Sequence, residues 1–407
     1  MASRLSRSVL VLALLAVPSL TIAGAGPATA HPGHPAHHST AYRVDELSSL
    51  GGTVSAGSGI NNRGTVTGYS YQPGDATVHA ARWRHGNLTD LGTLGGANSA
   101  VLWPVKSSRI VVGVSETATT NPYGEDWSCS VSFPGNPTHH NCVGFVWQHG
   151  YMRALPTLGG DNGYAAGNNQ RGQIVGWAEN GKRDPSCTGN QVEQFRAVRW
   201  DAGTHRPHEL APLGADPTSA ATAINDRGQA VGISGVCGTA VGRFSATHAV
   251  IWDRRGGPQD MGNIGGVAWN TPAAINNNGV VTGFANVPGG ATSGSFYPHA
   301  FVWTAGRKMR DLGTLPGDLL SEGLGINSRG QIVGESCQAH LANCRAFLWQ
   351  DGAMTDLNSL VPAGGPHLAY ANDINDAGEI AGQAVDGSRL VAFLASPVDK
   401  HEPVDRH

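Results

Sequence analysis

A phrase repeated seven times, a glycine content about twice the usual ~7%, and an isolated strand phrase ahead of the first repeat together predict an all-β fold. The expected architecture is a seven-bladed β-propeller of four-stranded antiparallel blades, its ring closed by an N-terminal strand, 42–50, that completes the last blade. Glycine supplies 57 of the 407 residues, charged residues 14% and hydrophobic residues 40%. The apolar content allows a large core and excludes wholesale disorder. Many glycines and few lysines favour strands joined by tight turns.

The chain opens with an export signal. Arg4 and Arg7 precede an apolar run over residues 9–17, which Pro18 closes. Ala28-Thr29-Ala30 fits a signal-peptidase site and Ala23-Gly24-Ala25 is a second option, so cleavage is expected after Ala30 or Ala25. The rival reading, a membrane anchor, fails on length, because a bilayer span needs about 20 apolar residues. The two arginines are not adjacent, which disfavours a twin-arginine signal. Residues 1–30 are read as signal peptide, 31–41 as a His/Pro-rich linker, 42–396 as one propeller and 397–407 as a tail. A secreted, extracellular location follows. The net charge of −3 offers no basic face, so a nucleic-acid role is excluded. No other run reaches transmembrane length.

The repeat begins with Ile-Asn-x-x-Gly and ends a few residues later in Val and Gly. It starts at Ile60, Asn168, Ile224, Ile275, Ile326 and Ile374, with a degraded copy at 102–113. The closing glycines, Gly68, Gly113, Gly176, Gly232, Gly283, Gly334 and Gly382, are spaced 45, 63, 56, 51, 51 and 48 residues apart. A second phrase follows, as in His299-Ala300-Phe301-Val302-Trp303, and then a third, as in Asp311-Leu312-Gly313-Thr314-Leu315. Each unit thus holds four short runs bounded by Gly or Asn, which read as strands. Asn can open a turn by bonding its own backbone, and Gly can close it at positive φ.

The two ends favour a ring over a β-solenoid. The seventh unit stops after its third run near Ala395, while residues 42–52 are an orphan fourth phrase. Pairing the two closes the ring and removes its open edges. The blades then span about 53–94, 95–158, 159–214, 215–264, 265–315, 316–360 and 366–396 plus 42–50. A monomer is expected.

These phrases, with Gly330-Gln331-Ile332-Val333-Gly334, resemble the HAF-repeat family of bacterial extracellular proteins over about residues 42–395. The resemblance implies secretion and a repeat architecture, and it implies no reaction. The second unit departs from the pattern, with Trp103-Pro104-Val105-Lys106 where Ile-Asn-x-x belongs.

Six cysteines in an exported chain suggest disulfides. All six are placed between the second and third strands of their blades. Cys129 and Cys142 share one loop, Cys337 and Cys344 another, and Cys187 and Cys237 lie in equivalent loops of neighbouring blades. The economical set is therefore 129–142, 337–344 and 187–237. A zinc site is the rival, but no Cys-x-x-Cys pair exists.

Repetition filters the candidates for chemistry. Asp90, Asp311, Asp356, Glu209, Asp260 and Glu46 fill one slot and read as framework, as do His79, His248 and His299. The loops after the second strands vary most, which marks their face for binding. Four residues before the Ile-Asn isoleucine most blades carry a small residue, but blades 6 and 7 carry Glu322 and Tyr370. With Trp103, Lys106, Asp161 and Trp269, these are expected to rim a central funnel. The loops add Glu116, Glu125, Trp127, His139, His140, Trp177, Asp184 and Glu193. Aromatics beside acids suit a sugar, and Glu322, Tyr370, His139 and His140 are the catalytic candidates. A glycosidase would need two carboxylates at a set separation. Asp373-Ile374-Asn375-Asp376-Ala377-Gly378 resembles half a calcium loop, but Ala377 replaces a ligand. His31, His34, His37 and His38 are weak candidates for Cu(II), Ni(II) or Zn(II). No cofactor is expected, and no serine-hydrolase, zincin or phosphate-loop motif occurs.

The sequence therefore favours a secreted, non-catalytic binding or adhesion scaffold that presents a loop-rich face to a glycan, peptide or protein. The alternative is a propeller-based carbohydrate-active enzyme, a polysaccharide lyase or hydrolase, acting at the funnel.

Overall fold

The computed structural model describes residues 41–125, 129, 133–134, 137–238, 245–288 and 296–398. Among them, seven four-stranded antiparallel sheets form a ring. The inner strands are Ser55–Ile60, Gly95–Ala100, Gly163–Asn168, Thr218–Ile224, Thr271–Ile275, Leu320–Ile326 and His367–Ile374. In blades 1 to 6 the strands follow chain order from inside to outside. Blade 7 joins the two ends of the chain: Tyr42–Glu46 is its outer strand, beside Arg389–Pro397. Tyr42 pairs with Pro397, Val44 with Ala395 and Glu46 with Phe393. The ring closes as the sequence predicts. The closing strand is shorter than the 42–50 phrase because, after Leu47 N has bonded Ala392 O, the Leu50 amide turns to the Ser70 hydroxyl of blade 1.

The third strands carry the core. Trp83, Trp200, Trp252, Phe145, Phe195, Phe301, Phe347 and Phe393 are fully buried between blades. A buried indole N–H needs a partner. Trp83, Trp200 and Trp252 donate to the carbonyls of Ser48, Pro156 and Ala211, in the segment that leads into each blade.

The repeated closing glycine has a steric cause. In six blades the inner strand carries a bulge opposite the second strand, for example between Gly57 and Gly59 and between Gly323 and Gly325. The inner-strand carbonyl beside it presses on the glycine. A Cβ at Gly176 or Gly334 would lie 1.8 Å from the oxygen of Tyr164 or Glu322, and all seven closing glycines meet such an oxygen within 2.2 Å. No side chain fits there.

The Asn of each turn does more than open it. The Asn276 Oδ1 accepts from the amides of Asn278 and Val280 (2.9 and 3.0 Å), and its Nδ2 donates to the Asn327 carbonyl of the next blade (2.9 Å). Asn169 donates likewise to Asn225, Asn225 to Asn276, Asn327 to Asn375, and Asn375 to Asn61. The chain of bonds runs around the turn face. Blade 2 lacks the Asn, so Asn61 bonds Ser107 O instead. Blade 3 compensates with Asn168 in the isoleucine slot: its Oδ1 accepts from Lys106 and Ser107, and its Nδ2 donates to Ile110 O.

Disulfides join Cys129 to Cys142, Cys187 to Cys237 and Cys337 to Cys344, the three pairs expected. One expectation is corrected: Cys142, Cys337 and Cys344 sit in strands, because the second and third strands of blade 6 and the third strand of blade 2 extend beyond the repeat. No helix among the described residues is long and apolar enough to cross a membrane.

Replacing Asn276 with alanine removes three hydrogen bonds at a buried position. Asn276→Ala is expected to lower stability by about 2–3 kcal/mol. Asn278→Ala, at an exposed turn position, should cost under about 1 kcal/mol. Urea denaturation of both variants checks this, and equal losses would refute the role of the ring.

Candidate functional site

The strand order puts the second-to-third loops and the interblade links on one face, and the Asn turns with the third-to-fourth hairpins on the other. The predicted residues scatter over both faces and the interior.

Trp103 and Lys106 belong to residues 101–110, where blade 2 has no regular turn. Trp103 is buried in the same core as Tyr71, Tyr164 and Trp177. Lys106 skips blade 1 and reaches blade 7, where its Nζ donates to Asp373 Oδ1 (2.5 Å) and Ile374 O (3.2 Å). Asp373 is wholly buried and also accepts from Ile60 N of blade 1 (2.8 Å). Burial pushes the Asp373 carboxyl up, and Lys106 and the Ile60 and Ile374 amides pull it back. These groups fasten blades 1, 2, 3 and 7 on the turn face. They also dispose of the half calcium loop, since Asp373 is taken by Lys106, and Asn375 and Asp376 bond neighbouring turns.

Glu322 and Tyr370 do come together, Glu322 buried and Tyr370 only partly so. Glu322 pairs across strands with Glu335, and the two are only 4% and 5% exposed. Tyr370 and Tyr69 lie beside them, and Tyr69 bonds Gln383. Burial raises the Glu322 carboxyl to about 8, and burial together with Glu322 pushes Glu335 well above the carboxylate range. Burial and the two acids drive the Tyr370 hydroxyl up as well. The pair holds a proton at neutral pH. Glu322 is therefore a buried residue and not an exposed rim residue, while Tyr370 keeps part of its surface open. The inner-strand bulge lies between each of them and the turn, and it alters the alternation of faces along the strand.

The remaining candidates lie towards the loop face. Trp177 is buried and stacked on Tyr164 at 4.2 Å. Trp269 is half-buried and meets Phe296 edge-on at 4.9 Å. His139 is exposed and faces Gly124 O, and His140 is half-buried, its Nδ1 buried without a hydrogen-bond partner. Neither histidine contacts Glu322 or Tyr370 in any hydrogen bond or ion pair among the described residues. Glu116 is buried and accepts from Ala97 N, Asn98 N and the Thr138 hydroxyl. Asp161 lies beside a second buried group of acids, Glu125, Glu179 and Glu193, its amide donating to Glu193 Oε2. Trp127 and the four N-terminal histidines lie outside the described residues.

The repeated His and Asp slots are framework, as read. His79 meets Asp90 and His299 meets Asp311, each at 2.9 Å. Burial opposes it, yet the His79 ring and the Gly92 amide hold the Asp90 carboxyl below its ordinary value.

One feature of the loop face was not legible at all. Among the described residues seven large apolar side chains are exposed. Five of them, Tyr123, Val236, Val267, Tyr297 and Leu319, lie in loops or links of this face, and four of these belong to blades 4 to 6. Val267 and Leu319 are 64% and 55% exposed.

No family model and no curated protein matches the chain. Solved structures do. The virginiamycin B lyase of Staphylococcus aureus is 10% identical, with a TM-score of 0.46, over 88% of this chain and 100% of that one. The acylaminoacyl peptidase of Pyrococcus horikoshii is 13% identical, with a TM-score of 0.43, over 79% of this chain and 48% of that one. A Trypanosoma rangeli sialidase in complex with sialic acid is 10% identical, with a TM-score of 0.38, over 84% and 53%. The chain thus spans about half the length of the last two. No residue role is carried over from any of them.

The buried acid pair sets a pH dependence. Glu322 titrates near 4.5 when unfolded and near 8 when folded. Its proton stabilises the fold below the unfolded value, and that contribution is lost as pH rises from 4.5 through 8. The melting temperature of the wild type should therefore fall between pH 5 and 9, with a shallower slope in Glu322→Gln. An unchanged slope would remove the pair from this role.

Proposed function

We propose that the chain is an exported protein of the HAF-repeat type that acts as a non-catalytic binding or adhesion scaffold and works as a monomer. Its loop face takes an extracellular protein or peptide. The observation that carries this reading is the exposure of four large apolar side chains, Val236, Val267, Tyr297 and Leu319, in the loops and links of that face on blades 4 to 6. Exposed apolar surface gathered on one face marks an interaction surface. Aliphatic residues there suit a peptide or protein better than a sugar, which would want flat exposed rings. Three disulfides support an oxidising, extracellular setting.

The carbohydrate-active enzyme reading draws on Glu322 and Tyr370, which the fold does bring together. It is weaker because both carboxyls of that group, Glu322 and Glu335, are buried.

A random peptide library panned on the full chain tests the proposal. Enriched peptides should bind the wild type at least about tenfold more tightly than a Val267→Ser/Leu319→Ser variant, the scale of one lost apolar anchor. Tyr151→Ser, on the turn face, should leave binding unchanged. A released product from a panel of polysaccharides, or peptide binding indifferent to both loop-face changes, would overturn it.

A further inference from the structure

Glu125 lies in the loop between the second and third strands of blade 2 and reaches the backbone of blade 3. It is fully buried. Its Oε1 accepts from the amides of Val192 and Glu193, both at 2.6 Å. Among the described residues its Oε2 has no hydrogen-bond partner, and the Nδ2 of Asn121, whose side chain bears on the same carboxyl, is unpartnered as well. A buried carboxylate oxygen without a partner is costly and asks for an explanation.

The surroundings deepen the anomaly. Glu179 and Glu193 each offer an oxygen within 4.8 Å of one on Glu125 and of one another. Gln191, 4% exposed, donates its Nε2 to Glu179 Oε1 (2.9 Å) and to Glu193 O (2.6 Å). That orientation is fixed by the acceptors around the nitrogen, and it leaves Gln191 Oε1 buried without a partner as well. The other acid oxygens are held in place: Asn162 N donates to Glu179 Oε2 (2.7 Å), and Asp161 N to Glu193 Oε2 (3.2 Å). No ion pair joins these three acids to a base among the described residues. Arg183, which bears on Glu193 electrostatically, has its guanidinium over the Tyr123 ring at 5.0 Å.

Three acid side chains from two blades thus converge on one small buried volume, and Glu125 Oε2 is left unpartnered there. A cation supplies the positive charge that water cannot. We propose that Glu125, Glu179 and Glu193 form a calcium site that clamps the blade 2 loop onto blade 3. The donors are all oxygen, which favours a hard cation over zinc or copper. Three carboxylates drawn from a loop and two strands suit calcium better than magnesium, which demands a near-octahedral shell and keeps its waters. The clamp sits at the root of the loop whose other end Cys129–Cys142 ties to blade 2. The metal organises the loop face and takes no part in a reaction.

The two other groupings of acids with sulfur, Asp184 with Cys187–Cys237 and Glu335 with Cys337–Cys344, use cystine sulfurs and carry no such inference.

The test uses the full secreted chain, stripped with a chelator and desalted. Calorimetric titration with CaCl2 should show one site per chain, with a dissociation constant of about 10⁻⁴ M or tighter, the range of extracellular calcium modules. About 2 mM CaCl2 should raise the melting temperature by several degrees. MgCl2 should bind at least about tenfold more weakly. Glu125→Gln and Glu193→Gln should each weaken calcium binding by about tenfold or more, while Glu322→Gln, in the other acid pair, binds as the wild type does. No heat and no thermal shift up to about 10 mM CaCl2 would overturn the proposal, and so would wild-type affinity in both Glu125→Gln and Glu193→Gln.

Discussion

Six of the seven blades each reach the next through one side chain. The turn asparagine holds its own turn with Oδ1 and passes Nδ2 to the backbone of the next blade, so the local and the long-range structure share a residue. A single blade cannot satisfy these groups by itself. The ring has to be complete before every donor finds its acceptor, which couples the formation of each turn to closure of the whole. Closure through the Tyr42–Pro397 pairing serves the same end, because it gives the third strand of blade 7 the outer partner that its own repeat lacks.

The irregular second blade shows how strict this coupling is. Residues 101–110 abandon the turn, and blade 3 answers with an extra asparagine, Asn168, whose amide reaches back to that segment. Lys106 then crosses to Asp373 in blade 7. Two departures that look unrelated in the sequence are the two halves of one repair.

The repeat, the closing strand and the cysteine pairs were readable because each leaves a mark at a fixed spacing. Burial of the candidate site was not. Counting back from the isoleucine found Glu322 and Tyr370, but the bulge between them and the turn alters which way a side chain points, and nothing in the spacing shows the bulge directly. The signal lay one column over. After the closing glycine come Val114, Trp177, Ile233 and Phe284 in blades 2 to 5, but Glu335, Gln383 and Tyr69 in blades 6, 7 and 1. That column would have disclosed one continuous polar sector in an otherwise apolar interior. Likewise Asp373 stands where other blades have Gly59, Gly167, Ala223, Ala274 and Gly325. The acids at Glu125, Glu179 and Glu193 meet only through the fold, since their loops have no common spacing.

The closing sheet also fixes where the chain leaves the ring. Arg389–Pro397 runs from the loop face towards the turn face, and Tyr42 lies beside Pro397 at its far end. Both ends of the ring therefore exit side by side, beneath the disc and opposite the exposed apolar side chains. A stalk attached at either end would hold the molecule like a dish on a post, its receiving surface turned outward. Tension applied through both ends would peel that one pair of strands residue by residue, leaving the other six wedges unloaded until it parted.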